Sequence, residues 1–297
     1  QKECEKVDLI GRKVIQLKTT IESSHNNFVA ELRNINLSNA SRPKFVNYLK
    51  TIISSHGVVV FRNQSLKPKD FSNFARQLGT VHNSPVVPVP FANYPEIKIL
   101  SNVKKNGKYI GHNNAGHYWH TDRIYLERVI KTSILYGLKC PPTGGDTLFS
   151  DTQSAYTDLP FKLRKEIDGK FQIHDFSLAY SRVYQKKDSK TMKQINVKPA
   201  VRHPLVVTNP DTMMKSIYMS LVSTEKIESL DKALSIKILE QIEKFCTQDR
   251  YVYRHKWEKG DVVVWNNLRS MHKATQFDPF QDRILYKIEL QNENSLA

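Results

Sequence analysis

The chain has 297 residues, 39% hydrophobic and 10% aromatic, which is enough for one large globular domain. A charged fraction of 25% with few glycines and prolines, and the lack of a repeating period, exclude a disordered chain and a solenoid. The 45 basic residues exceed the 29 acidic ones, giving a net charge of +16 that attracts polyanions or steers small anionic substrates. Apolar runs such as residues 57–61 are only strand-sized, so we expect no membrane span.

Cysteine usage bears on the compartment. Cys4, Cys140 and Cys246 are too scattered for a disulfide framework or a thiolate zinc site, so we expect a cytoplasmic or other reducing intracellular compartment. The chain begins with Gln1, which leaves open the removal of a targeting peptide. The segment 182–198 holds six basic residues and one aspartate, a composition more typical of a solvated loop than of a nucleic-acid surface.

The first elements in chain order are predicted to be a helix, a strand and a second helix. The first helix starts at residues 41–43 and ends at 56–57, with an apolar face formed by Phe45, Tyr48, Leu49, Ile52 and Ile53. A buried strand follows over 58–61, and Pro68 then starts the second helix, for which Gly79 is the expected cap. Residues 84–95 are rich in proline and indicate an extended loop.

The rest of the chain contains mainly strand patterns. Apolar, β-branched runs predict strands over 97–102, 130–138 and 262–265, and residues 284–290 alternate with period two. Helices are predicted over 159–167 and 225–245. Strands separated by long, irregular loops do not fit a parallel α/β sheet, so we expect a mainly β (α+β) fold, a jelly-roll core with flanking helices. The expected organisation is one domain over 1–297, with its core at about 20–291.

One short motif and one distant histidine predict a metal site. In a strand, His120 and Asp122 face the same side, and an imidazole and a carboxylate can then bind one ion. His272 follows the predicted strand 262–265 and supplies a third ligand. Two histidines and a carboxylate are the ligands of non-haem Fe(II) oxygenases, and a zinc hydrolase is the alternative.

A candidate anion site separates these two alternatives. Arg283 lies at the start of the alternating strand, where its guanidinium could pair bidentately with a carboxylate. Residues 141–147 predict a tight turn that ends in a hydroxyl, that of Thr147, able to donate to the same anion. A dicarboxylate co-substrate would use such a pair, whereas a zinc hydrolase would not.

These motifs resemble the taurine dioxygenase (TauD/TfdA) family of Fe(II)- and 2-oxoglutarate-dependent dioxygenases. The similarity runs from about Gly57 to Glu289 and includes the segments 119–122, 144–149, 203–206, 257–261 and 265–272, together with Arg283. It implies a double-stranded β-helix, with His120, Asp122 and His272 as iron ligands. It also implies that Arg283 and Thr147 hold the distal carboxylate of 2-oxoglutarate, and that O2 is the second co-substrate.

Departures from the family pattern concern the primary substrate. Ser84 and Val87 stand where taurine dioxygenase has a histidine and a tyrosine that bind the sulfonate, and Lys287 stands in place of a second arginine. We expect these residues, with Asn114 and Tyr118, to line a pocket for a substrate other than taurine. The family triplet Trp-Asp-Asn is Trp265-Asn266-Asn267 here, which removes a carboxylate near the second histidine and leaves the hydrogen-bond partner of that histidine undefined.

The sequence therefore predicts an iron enzyme that oxidises an unactivated C–H bond of a small anionic substrate, a carboxylate or an amino-acid derivative. Hydroxylation, desaturation and ring closure are all open outcomes. Two alternative functions remain at this stage: a basic nucleic-acid-binding module on the same barrel, and a zinc-dependent hydrolase. We expect a small molecule as the partner, with no nucleic acid and no membrane; homo-oligomer formation is open.

Overall fold

A computed structural model describes residues 20–24, 27–39, 43–83, 90–113, 116–184 and 199–292. The helices in this part are α1 Pro43–Ser55, α2 Pro68–Leu78, α3 Thr152–Asp158, α4 Phe161–Ile167, α5 Phe176–Tyr184 and α6 Lys232–Cys246. The strands up to residue 151 are β1 Thr20–Ser24, β2 Val29–Arg33, β3 Val58–Phe61, β4 Lys98–Ser101, β5 Lys104–Lys105, β6 Lys108–Tyr109, β7 Ile130–Lys139 and β8 Thr147–Asp151. The later strands are β9 Phe171–His174, β10 Val201–Pro204, β11 Val206–Thr208, β12 Lys215–Ile217, β13 Thr224–Ile227, β14 Val252–His255, β15 Val262–Asn266, β16 Ser270–Ala274 and β17 Ile284–Gln291.

The fold is a mixed arrangement of sheets and helices. Seven strands form the largest sheet in the order β1-β2-β3-β15-β7-β17-β4, and β14-β8-β16 and β10-β9-β13 form two three-stranded sheets. The two-stranded sheets are β11-β12 and β5-β6. Among the described strands, β2 and β3 pair in parallel and are joined by a crossover that contains α1, whereas the other ladders are antiparallel.

The large sheet buries both of its faces. One face packs under α1 and α2, where strand residues such as Ile134, Val264 and Ile288 contact helix residues such as Leu49 and Phe71. The other face carries the alternate residues of the same strands and packs against the β14-β8-β16 sheet. The cluster between them includes Leu135, Val263, Trp265, Leu285 and Phe149. The space between the two sheets therefore receives every second side chain of β7, β15 and β17.

Most of the predicted elements agree with the structure. Helix α1, strand β3 and helix α2 confirm the predictions for 43–55, 58–61 and 68–78. Tyr48 is 41% exposed, and the buried face of α1 is formed by Val46, Leu49, Ile52 and Ile53. Gly79 follows α2 with an extended φ of 173°, so its lack of a side chain is not needed for a left-handed cap.

The long helix predicted over 225–245 is wrong at its start. Residues Thr224–Ile227 form β13, which pairs with β9, and the helix begins only after Asp231. The Asp231 side chain accepts a hydrogen bond from the backbone N–H of Leu234, which is an N-cap interaction. Apolar residues at 227 and 230 fit a helical period, but pairing with β9 satisfies the backbone of this segment instead.

The described residues also bear on the cysteines, on the basic segment 182–198 and on membrane crossing. Cys140 and Cys246 are free thiols, and Cys4 lies outside the described residues. Arg182 lies in α5 and donates to the carbonyls of Leu221, Val222 and Thr224, so it does not belong to a solvated loop; residues 185–198 lie outside the described part. No helix in the described ranges combines the length and apolar character needed to cross a bilayer.

His174 makes the stability of the fold dependent on pH. It is fully buried in β9, and its Nε2 has no hydrogen-bond partner within the described ranges. Burial, together with the neighbouring His203, holds the pKa of His174 well below its usual value. The folded protein thus keeps His174 neutral while the unfolded chain takes up a proton, so stability is lost as pH falls from about 7 to 5.

We expect His174→Gln to reduce this pH dependence. The slope of the free energy of unfolding between pH 7 and 5 should fall by up to about 1.4 kcal/mol per pH unit, the contribution of one proton. Urea unfolding of wild type and variant at several pH values measures this slope. Identical slopes in the two proteins would contradict the role of His174.

Candidate metal and co-substrate site

The three predicted metal ligands meet between the two facing sheets. His120 forms an isolated antiparallel bridge with His272 of β16, with N–O distances of 3.0 and 2.8 Å. Asp122 Oδ1 lies 3.8 Å from His120 Nε2 and 3.6 Å from His272 Nε2. Ligand atoms of the three residues lie within 4.8 Å of one another, a spacing that one metal ion can bridge.

Both histidines are prepared to act as neutral ligands. The Nδ1–H of His120 donates to the carbonyl of Tyr118 at 2.9 Å, which leaves the Nε2 lone pair directed at the site. Burial lowers the pKa of His120, and burial together with His120 lowers that of His272 further. The Nδ1 of His272 is buried without a hydrogen-bond partner in the described part of the chain.

A polar chain from β7 and β15 orients Asp122. Ser133 Oγ donates to Asp122 Oδ2 at 2.6 Å, and Asn267 Nδ2 donates to Ser133 Oγ at 2.9 Å. Trp265 Nε1 donates to Asn267 Oδ1 at 3.1 Å. Asn266, which replaces the carboxylate of the family triplet, instead accepts a bond from the backbone N–H of Leu268. The second asparagine therefore supports the aspartate ligand, while the first stabilises the turn after β15.

Lys287 reaches the metal-ligand carboxylate directly. Its Nζ lies 2.5 Å from Asp122 Oδ1 and 3.1 Å from Glu289 Oε1. Burial opposes ionisation of both partners, but their mutual attraction raises the pKa of Lys287 and lowers that of Asp122. The ammonium of Lys287 therefore stands beside the proposed metal ligands, where it pairs with Asp122 in the turn after His120 and with Glu289 of β17.

Glu289 forms ion pairs with two further cations besides Lys287. Arg123 Nε lies 2.5 Å from Glu289 Oε2, and Lys98 pairs with the same oxygen. The Glu289 side chain is only 3% exposed. Burial alone would raise the pKa of Glu289, but Arg123, Lys287 and Lys98 hold it well below its usual value. Glu289 is thus a permanent anion among three cations.

Arg283 occupies a separate pocket near the turn 141–147. It lines a small cavity with Leu100, Asn102, His117 and Phe277. No salt bridge to Arg283 forms within the described ranges, and its Nε is buried without a hydrogen-bond partner there. Burial lowers the pKa of Arg283 to about 10, although Cys140 and Asp146 oppose this shift.

The turn before β8 places Thr147 and leaves space for Arg283. Gly145 has a φ of +68°, and a Cβ there would lie 3.3 Å from Cδ and Nε of Arg283, so this position requires glycine. Thr147 is 3% exposed and accepts a hydrogen bond from Trp257 Nε1 at 3.0 Å. Because Trp257 donates to this oxygen, the hydroxyl proton of Thr147 remains available for another acceptor.

The predicted substrate residues are only partly described. Tyr118 packs against His120, with ring centroids 5.0 Å apart, so it lies beside the metal site. Ser84, Val87 and Asn114 lie outside the described residues.

Sequence reasoning missed five residues that contact this site: Lys98, Arg123, Ser133, Asn267 and Glu289. Glu289 could have been found, because period two places it on the same face of β17 as Lys287. Arg123 directly follows a predicted ligand. Lys98 and Ser133 carry no local signal, since only the pairing of their strands with β17 brings them to the site.

A group of two histidines and one carboxylate between two sheets is a ligand set used by mononuclear metal enzymes, among them the non-haem iron enzymes. Comparisons with known proteins give the same class. The family model for taurine catabolism dioxygenase TauD, TfdA family matches residues 20–288, and the chain belongs to this family. The protein is therefore a 2-oxoglutarate-dependent non-haem iron dioxygenase that uses Fe(II), 2-oxoglutarate and O2. This result favours neither the zinc hydrolase nor the nucleic-acid-binding module.

Individual relatives differ in their named activities. Alpha-ketoglutarate-dependent 2,4-dichlorophenoxyacetate dioxygenase from Burkholderia sp. (strain RASC) is 30% identical over 268 residues, covering 86% of this chain and 89% of the relative. Pentalenolactone F synthase from Streptomyces avermitilis is 31% identical over 254 residues, covering 80% and 82%. The solved structure of a taurine dioxygenase from Burkholderia xenovorans matches with a TM-score of 0.76 at 27% identity, covering 93% of this chain and 90% of that one.

Proposed function

We propose that this enzyme oxidises an unactivated C–H bond of a small anionic substrate, a carboxylate or an amino-acid derivative. His120, Asp122 and His272 would hold the iron. With iron, 2-oxoglutarate and O2 bound, the centre supplies oxidative decarboxylation of the co-substrate and an oxidant for the C–H bond. The neutral histidines and the anchored Asp122 keep three ligand atoms within reach of one ion, and three protein ligands would leave room for co-substrates on an iron held there.

The observation that carries the proposal is the enclosed Arg283 guanidinium. A buried cation without an ionic partner is costly, and pairing with an anion removes that cost. The distal carboxylate of 2-oxoglutarate fits this position, because arginine binds carboxylates bidentately and the Thr147 hydroxyl can add one hydrogen bond. In the same proposal, the two facing sheets are the halves of a double-stranded β-helix, within a single domain.

Substrate anchoring is assigned to Lys287. Its ammonium stands at Asp122 Oδ1, and a metal ion bound to Asp122 would compete for this carboxylate. Lys287, which keeps its ion pair with Glu289, can then bind an anionic substrate group, and a carboxylate suits a single strong donor. The first relative acts, by its name, on a phenoxyacetate, which is also a carboxylate. Whether hydroxylation, desaturation or ring closure results depends on how the reacting carbon is placed.

The proposal is tested by anaerobic titration of the protein with Fe(II) and 2-oxoglutarate. We expect a weak visible charge-transfer absorption, because a keto acid that chelates Fe(II) absorbs in this range, whereas a zinc centre would give none. Succinate formation in air is then measured with a panel of carboxylates, sulfonates and neutral compounds. No absorption with the wild-type protein would overturn the co-substrate assignment.

Lys287→Met tests the substrate class. We expect turnover triggered by carboxylates to fall by at least about 10-fold, since a hydrogen bond to a charged group is worth about 1.5–3 kcal/mol. The Fe(II)–2-oxoglutarate absorption should persist. Arg202→Met, which breaks an exposed ion pair with Glu228, is the control and should act as wild type. Selective turnover of a neutral compound, unaffected by Lys287→Met, would contradict the proposal.

A further inference from the structure

Three cations share one carboxylate beside the metal site. Lys98 and Arg123 both contact Glu289 Oε2, and Lys287 contacts Oε1. The side chains of Lys98, Arg123 and Lys287 are 6%, 18% and 11% exposed, so water screens their charges weakly. Lys287 also pairs with Asp122. If a metal ion takes Asp122, Glu289 alone faces the three cations, and such an excess of positive charge is unfavourable unless a further anion enters the site.

The guanidinium of Arg123 has N–H donors that make no hydrogen bond to the described residues. Only its Nε contacts Glu289, and neither of its Nη atoms forms a hydrogen bond within the described residues. The Nη atoms of a guanidinium are the pair that commonly binds a carboxylate bidentately.

The backbone at Arg123 is also unusual. Its φ of +47° lies in the left-handed region, which residues other than glycine rarely adopt. Strain of this kind persists at functional sites, where the surrounding structure holds a side chain in a required direction. Here it follows directly after the ligand Asp122 and directs Arg123 to Glu289, so Arg123 remains close to the metal site.

The charges at the site can be counted for the loaded enzyme. Iron, Asp122 and the chelating carboxylate of 2-oxoglutarate cancel, and Arg283 cancels the distal carboxylate. Lys98, Arg123 and Lys287 against Glu289 then leave two positive charges; Lys98, whose pKa burial lowers to about 8, is still mostly protonated at pH 7.

We infer that Arg123 is a second substrate-binding residue and that the substrate is a dicarboxylate. One carboxylate pairs with the Nη atoms of Arg123 and the other with Lys287, while Glu289 holds the two cations at a defined separation. This inference rests on the proposed function, because it takes Lys287 as the first substrate anchor. It narrows the substrate from any small anion to one with two acidic groups.

A matched pair of probes tests the inference. Phenoxyacetate and 4-carboxyphenoxyacetate differ by one carboxylate, and their scaffold follows the named substrate of the first relative. Each probe is titrated anaerobically into protein saturated with Fe(II) and 2-oxoglutarate, and its dissociation constant is read from the change in the charge-transfer absorption. The proteins are wild type, Arg123→Met, Arg123→Lys and, as a matched control, Arg202→Met.

We expect wild type to bind the dicarboxylate at least about 10-fold more tightly, the effect of one charge-assisted bidentate pair. Arg123→Met should lose this preference with little change for phenoxyacetate, Arg123→Lys should keep part of it, and Arg202→Met should keep all of it. The folds should survive, because Glu289 retains Lys98 and Lys287.

Three results would overturn the inference: equal or no binding of the two probes to wild type, an unchanged preference in Arg123→Met, or loss of the absorption through displacement of 2-oxoglutarate. If the proposed function itself is wrong, the Fe(II)–2-oxoglutarate absorption will already be missing before any probe is added. The two failures can therefore be told apart.

Discussion

Replacing His120, Asp122 or His272 by alanine is expected to abolish succinate formation. Each residue supplies one of three protein ligands whose atoms lie within 4.8 Å of one another. Removing a residue that only hydrogen-bonds to a metal ligand already lowers metal affinity by about 10–100-fold. Removing the ligand itself should therefore lower metal affinity by more than about 100-fold. Titration with Mn(II), followed by the electron paramagnetic resonance of the free ion, measures this affinity without turnover.

Ser133→Ala provides a graded control for the ligand variants. It removes the donor to Asp122 Oδ2 but leaves all three ligands in place. Its Mn(II) affinity should fall by about 10–100-fold, less than in the ligand variants. Wild-type Mn(II) affinity in any of the three ligand variants would disprove the assignment of that residue.

Arg283→Ala is expected to weaken 2-oxoglutarate binding by about 2–5 kcal/mol, the usual cost of truncating one partner of a buried, hydrogen-bonded charge pair. Thr147→Ala should weaken it by about 1 kcal/mol, the contribution of one hydrogen bond. Anaerobic titration of the Fe(II) protein with 2-oxoglutarate measures both affinities through the charge-transfer absorption.

Arg254→Ala is the matched control for Arg283. Arg254 is exposed and pairs with Asp146 at 2.9 Å, in the same turn that precedes Thr147. Its replacement removes an arginine near this turn without emptying the pocket, so 2-oxoglutarate affinity should stay at the wild-type value. Equal affinities in Arg283→Ala and Arg254→Ala would remove Arg283 from the co-substrate site.

The short-range features of this protein were predictable from its sequence. Helical periods identified α1 and α2, a short apolar run identified β3, and alternation identified β17, because each signal depends on neighbours a few residues apart. The His-X-Asp motif identified two candidate ligands, but the strand expected around them is wrong, because His120 forms an isolated bridge and Asp122 lies in the turn that follows. The turn 141–147 was recognisable because two adjacent glycines allow the positive φ angles that it adopts.

Tertiary structure decided the features that depend on strand pairing. Residues 224–227 became a strand, because β9 offered backbone partners that a local helical period does not reveal. Ser133 and Lys98 reached the site only because β7 and β4 flank β17. The sequence showed Lys287 and Glu289 as alternating charges but not which charges oppose them. Their partners Asp122, Arg123 and Lys98 are 165, 166 and 191 residues away in the chain, so the ion pairs exist only once the sheets have assembled.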